Sequence, residues 1–97
     1  MKKELFIKEG LMLRNIANSY VVVAVGKASK DFNGMINLNE TGAFLWEALS
    51  KVHSKEELVN ELLKEYDIDF DQANNDVEEF LEVLEKNEFL KWWKRNL

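Results

Sequence analysis

The feature that most constrains this chain is a change of hydrophobic period at Asn39. Over Met35-Ile36-Asn37-Leu38 the side chains alternate between two faces, so Ile36 and Leu38 point at a core while Met35 and Asn37 look away. From Asn39-Glu40-Thr41-Gly42-Ala43-Phe44-Leu45-Trp46 onward the period is helical. Asn39 suits the junction: its short amide can accept from backbone N–H groups two and three residues on. Glu40 puts a negative charge beside the positive helix end, and Leu38 is placed to staple onto Ala43. Strand and helix are joined with no linker between them.

Upstream of this junction the pattern is β-like. Leu11-Met12-Leu13-Arg14-Asn15-Ile16 alternates, and Tyr20-Val21-Val22-Val23-Ala24-Val25 is a β-branched run suited to the centre of a small sheet. Ala17-Asn18-Ser19 is short enough for a hairpin, and residues 26–34 form a longer polar connection closing on Asn33-Gly34. A three-stranded antiparallel meander follows. Downstream, Thr41, Phe44, Leu45, Ala48, Leu49 and Val52 form one face of a first helix. Ser54-Lys55-Glu56-Glu57 is a capping box that opens a second, burying Leu58, Val59, Leu62, Leu63 and Tyr66. Asp69-Phe70-Asp71-Gln72 opens a third, with Ala73, Val77, Phe80, Leu81 and Leu84 in three-four spacing. The predicted class is α+β, with a three-stranded sheet followed by a three-helix bundle. This is also the element order of a winged-helix-like fold.

Ninety-seven residues with 46% hydrophobic content make one domain, 1–97, with a single core. The absence of cysteine excludes disulfides, thiolate metal sites, a thiol nucleophile and a cysteine-ligated iron–sulfur cluster within the chain. No phosphate loop, nucleophile elbow or metal-ligand motif appears, so no catalysis and no cofactor are expected. His53, the single histidine, precedes the Ser54 cap and has no convergent partner in the sequence. The carboxylates from Glu56 to Asp71 lack the glycine-centred spacing of a calcium loop and read as helix-start acids and a solvated face. No apolar run is long enough to span a bilayer, and no targeting segment is seen, so the expected location is the cytoplasm. A net charge of -5 opposes a nucleic-acid footprint. In the tail, Phe89 and Leu90 are expected to close the core. Trp92 and Trp93, interleaved with Lys91, Lys94 and Arg95, leave an aromatic surface for a protein contact.

The segment Leu38-Asn39-Glu40-Thr41-Gly42-Ala43-Phe44-Leu45-Trp46 resembles the corresponding segment of the coenzyme PQQ synthesis protein D family, whose members are also called RiPP recognition elements. The likeness extends to Ser19-Tyr20-Val21-Val22-Val23-Ala24-Val25 ahead of it. Behind it come Glu57-Leu58-Val59-Asn60-Glu61-Leu62-Leu63 with Tyr66-Asp67, and Asp76-Val77-Glu78-Glu79-Phe80-Leu81 with Leu84. The resemblance selects the winged-helix-like fold. It also implies a peptide-binding chaperone that presents the leader of a ribosomally made precursor to a modifying enzyme, often a radical S-adenosylmethionine enzyme. With the chain read as standing alone from 1 to 97, that enzyme is expected on a separate chain, a departure from fused members of the family.

If the meander runs in order, Met35 to Leu38 is an edge strand whose free N–H and C=O groups can pair with an extended peptide. From the residues alone, an edge covered by its own helices or by a second chain is an equal reading. The resemblance implies that the leader is captured as an added strand between the third strand and the third helix. Carried onto this chain, the site comprises Gly34, Met35, Ile36, Asn37 and Leu38, with Val77, Leu81 and Leu84 offering pockets. Asp76, Glu78, Glu79 and Glu85 would favour a basic leader, or else simply solvate the helix. The expected state is a monomer or a weak or strand-exchanged homodimer. The competing class is a winged-helix DNA-binding or transcription-related domain, but its reading helix would carry seven acidic residues, Asp69, Asp71, Asp76, Glu78, Glu79, Glu82 and Glu85, against a polyanion.

Overall fold

A computed structural model of the chain describes residues 2–27, 30 and 34–95, with the backbone alone at residues 2, 3 and 92–95. Ahead of Asn39 lie β1 (Lys2–Ile7), β2 (Leu11–Ile16), β3 (Ser19–Ala24) and β4 (Met35–Leu38). Behind it lie α1 (Glu40–Ala48), α2 (Lys55–Glu65), α3 (Phe70–Lys86) and a final strand, β5 (Leu90–Arg95). The order β2-β3-β4 is the expected antiparallel meander, and the three helices follow it, so the α+β class holds. Asn33, in the connection ahead of β4, lies outside the described residues, as do the side chains of Trp92 and Trp93 and so the aromatic surface expected of them.

The β2–β3 hairpin turns on Ala17 and Asn18, both left-handed at φ 50° and 67°. Two successive positive φ values define the turn whose twist matches that of paired strands. Asn tolerates this region, whereas Ala17 is held there against its own preference.

The sheet and helices share one core. Leu11, Leu13, Ile36 and Leu38 lean on it from the sheet, where Val22 is fully buried. Leu45, Leu58, Leu62, Ala73, Val77 and Leu84 are its fully buried helical members, and Trp46 meets Phe89 edge to face with centroids 6.4 Å apart. All three predicted caps form. Asn39 Oδ1 accepts from Gly42 N at 2.7 Å, Ser54 Oγ from Glu57 N at 3.2 Å, and Asp69 Oδ1 from Gln72 N at 2.8 Å. The Glu57 carboxylate accepts the Ser54 hydroxyl at 2.9 Å instead of reaching the serine backbone N–H.

A second sheet is the addition that the sequence pattern did not announce. β1 pairs antiparallel with β5, Ile7 opposite Leu90 and Leu5 opposite Trp92. Leu5 is buried, and its N–H donates to His53 O at 2.7 Å while His53 Nδ1 donates to Leu5 O at 3.0 Å. The His53 ring also stacks on Phe6 with centroids 4.2 Å apart. His53 is thus a clamp between β1 and the connection ahead of α2, which explains its place in the chain without any chemistry. The hydrophobic alternation of β1 is only Leu5 and Ile7 behind two lysines, and its partner strand lies at the other end of the chain. Phe89 and Leu90 do close the core, as expected.

Because Asn39 caps α1 and starts the chain's change of direction, Asn39→Ala should lower stability by about 1 kcal/mol in urea unfolding, with Asn39→Asp close to the parent.

Candidate functional site

Which backbone groups of β4 are free follows from the hairpin two strands away. In a two-residue hairpin the pair flanking the turn exchanges both hydrogen bonds, and here that pair is Ile16 and Ser19. Alternation makes Arg14–Val21 and Met12–Val23 the next bonded pairs, and Val25 N donating to Gly10 O at 2.7 Å continues the same phase. Tyr20 and Val22 therefore turn their backbone groups toward β4, where they meet Leu38 and Ile36. The N–H and C=O groups of Met35 and Asn37 then point away from the sheet. β4 ends the order β2-β3-β4, so among the described residues no strand pairs with that side.

Beside this edge is a groove of about 160 Å³ between β4, the start of α1 and α3. Its strand wall is Asn37 and Leu38, continued by Asn39, Thr41 and Gly42. Gly42 suits this approach: a Cβ there would lie 3.1 Å from Asn39 Oδ1, pressing on the cap, and 3.4 Å from Leu38 Cβ. The helix wall is Asp76, Glu79, Phe80 and Val83, which share a flank of α3 at spacings of three, four and seven.

The predicted site residues separate into groups on this geometry. Met35 is 65% exposed, Gly34 and Asn37 are exposed, and Ile36 and Leu38 are half-buried with their side chains against the core. On the helix, Val77 and Leu84 have 0% of their surface accessible. They form the middle of the core face, behind the groove. Leu81 is half-buried on the opposite flank together with Glu78, whose Oε2 meets Lys55 Nζ of α2 at 3.3 Å. Glu85 also falls on that flank by helical spacing. Of the four acids named from the sequence, only Asp76 and Glu79 line the groove.

In the sequence pattern Phe80 belongs to the core stripe and Val83 has no role, Asn39 and Gly42 belong to a helix start, and Thr41 belongs to the apolar face of that helix. The usable signal was one step further round the helix: residues 76, 79, 80 and 83 border the apolar stripe on the side of β4. At the far side of the α1 start, Tyr66 OH donates to Glu40 Oε2 at 3.4 Å, and its ring meets Phe44 edge to face. Burial, and then the negative charge of Glu40, raise the Tyr66 phenol above its usual range. Among the described residues, no group of three or more His, Asp or Glu side chains gathers in a way that could hold a metal ion.

Fold and groove together define a winged-helix-like α+β protein with an open sheet edge beside a helix. The family model for coenzyme PQQ synthesis protein D (PqqD) matches residues 19–90, and the chain belongs to this family. The match runs from β3 through α1, α2 and α3 to the first residue of β5. A comparison with curated protein sequences finds no match. Two solved structures share the fold. TbiB1 in complex with the TbiA(beta) leader peptide is 21% identical with a TM-score of 0.70, covering 93% of this chain and 99% of that one. A lasso peptide synthetase B1 complexed with the leader peptide is 19% identical with a TM-score of 0.69, covering 91% and 98%.

The phase of the sheet can be checked without any ligand. Asn37→Pro removes an N–H that has no ladder partner and should change stability by no more than about 1 kcal/mol, whereas Ile36→Pro removes a bond to Val22 and should cost about 3 kcal/mol or more. Equal losses in thermal unfolding would contradict the assigned phase.

Proposed function

We propose that this chain holds the leader segment of a ribosomally made precursor peptide as an added strand on β4, presenting it to a modifying enzyme. The observation that carries this reading is the outward-facing backbone of Met35 and Asn37 directly beside the groove. Each offers one donor and one acceptor, and a net gain of about 0.5–1.5 kcal/mol per bond makes such an edge a useful but reversible binding surface. Membership of the PqqD family supports the reading, and so does the likeness to two structures that each contain a leader peptide.

The roles divide by element. Met35 and Asn37 supply backbone pairing, with Gly34 at the open start of the strand. Ile36 and Leu38 turn their side chains to the same face as the inward residues of the added strand. Phe80 and Val83 are the apolar part of the helix wall, while Val77 and Leu84 belong to the core behind it and Leu81 packs on the core from the other flank of α3. The chain acts as one peptide-recognition domain and does no chemistry of its own. Bond-making belongs to a modifying enzyme, and a radical S-adenosylmethionine enzyme is the partner we propose. A DNA-reading role has no support from charge, because Asp71, Glu78, Glu79, Glu82 and Glu85 are all exposed on α3.

Titrating labelled protein with the leader of its own precursor should shift amide resonances in residues 34–38 and along Phe70–Lys86. Shifts confined to residues 91–95, with none in β4, would reject the proposed site.

A further inference from the structure

We infer that the groove selects an extended peptide carrying a lysine or arginine at one inward-facing position and a large apolar side chain two residues away. This rests on strand addition to β4 and specifies the chemistry of the strand that is added. In such a strand the residues opposite Ile36 and Leu38 share their face, and alternate residues lie about 7 Å apart. On the helix wall, Asp76 and Val83 are separated by two turns, about 10 Å along the axis. The wall therefore meets two successive inward side chains with two chemistries: carboxylates at Asp76 and Glu79, and an apolar surface at Phe80 and Val83.

The groove contains no lysine or arginine among its lining residues, and among the described residues neither carboxylate has a cationic partner. Gln72 Nε2 donates to Asp76 Oδ1 at 2.8 Å, which orients that carboxylate and leaves its charge intact. The opposite wall is neutral, being Asn37, Asn39 and Thr41. Its one positive contribution is the α1 N-terminus, worth about half a unit charge, which the Asn39 cap and Glu40 in the first turn already answer. The balance is negative. A lysine or arginine can lay its aliphatic stem on Phe80 while its head reaches the two carboxylates, keeping water on its outer side. A glutamate at the same position would be repelled, so the groove rejects as well as selects.

The test is a selection of short random peptides displayed on phage against the immobilised chain, followed by fluorescence anisotropy on the winners at low and high salt. Enriched peptides should pair a Lys or Arg with an apolar residue two positions off. Asp76→Asn with Glu79→Gln should weaken them about fivefold per carboxylate and flatten the salt dependence, while norleucine-substituted peptides bind parent and variant alike. Asp76→Lys with Glu79→Lys, selected afresh, should turn the preference toward Asp and Glu. Winners without a cation, or unchanged binding by the neutralised variant, would overturn the charge selection while Asn37→Pro still abolished binding and so kept strand addition. Winners unaffected by Asn37→Pro, or no winners at all, would overturn both.

Discussion

The two-residue turn at Ala17 and Asn18 decides what the rest of the molecule can do. By closing β2 onto β3 with Ile16 opposite Ser19, it sets the phase of every hydrogen bond in the sheet. That phase passes through β3 to β4, where it uses the backbone of Ile36 and Leu38 and leaves that of Met35 and Asn37 outward. The same phase sends Val22, Ile36 and Leu38 to the helices. A slip of one residue would exchange both properties at once, exposing the core side chains and closing the free edge.

The strand-to-helix junction then converts this edge into a groove. Asn39 turns the chain directly into α1, and Gly42 lets the first helical turn stay close to Leu38. α3 completes the groove from the other side by dividing its surface into three. Its central stripe is consumed by the core, one flank engages α2 through Glu78 and Lys55, and the other borders β4 with Asp76, Glu79, Phe80 and Val83. An edge strand left bare would invite indiscriminate pairing; this one has carboxylates beside it, which restrict what can be added.

Much of this was legible in the sequence. The period change at Asn39, the three side-chain caps and the meander all rest on local signals spanning a few residues, and each is found where it was read. Of the candidate groove, the two bordering elements β4 and α3 were legible, but not the side chains that line it. Val77, Leu81 and Leu84 mark the apolar stripe of α3, and the centre of that stripe, Val77 and Leu84, is committed to the core. The groove is lined instead by positions one step round, whose mixed character carries no periodic signal. The β1–β5 ribbon escaped for a different reason: its pairing joins the two ends of the chain, and neither strand has a turn or a long alternation to mark it.

Strand addition at β4 requires the free backbone of Met35 and Asn37 to become paired when a peptide binds. Amide hydrogen exchange of the free chain and of the complex with its precursor leader measures this directly. In the free chain Ile36 and Leu38 should be protected, and Met35 and Asn37 should exchange rapidly. In the complex Met35 and Asn37 should slow by about tenfold or more. A complex that forms while these two amides exchange unchanged would contradict strand addition at β4.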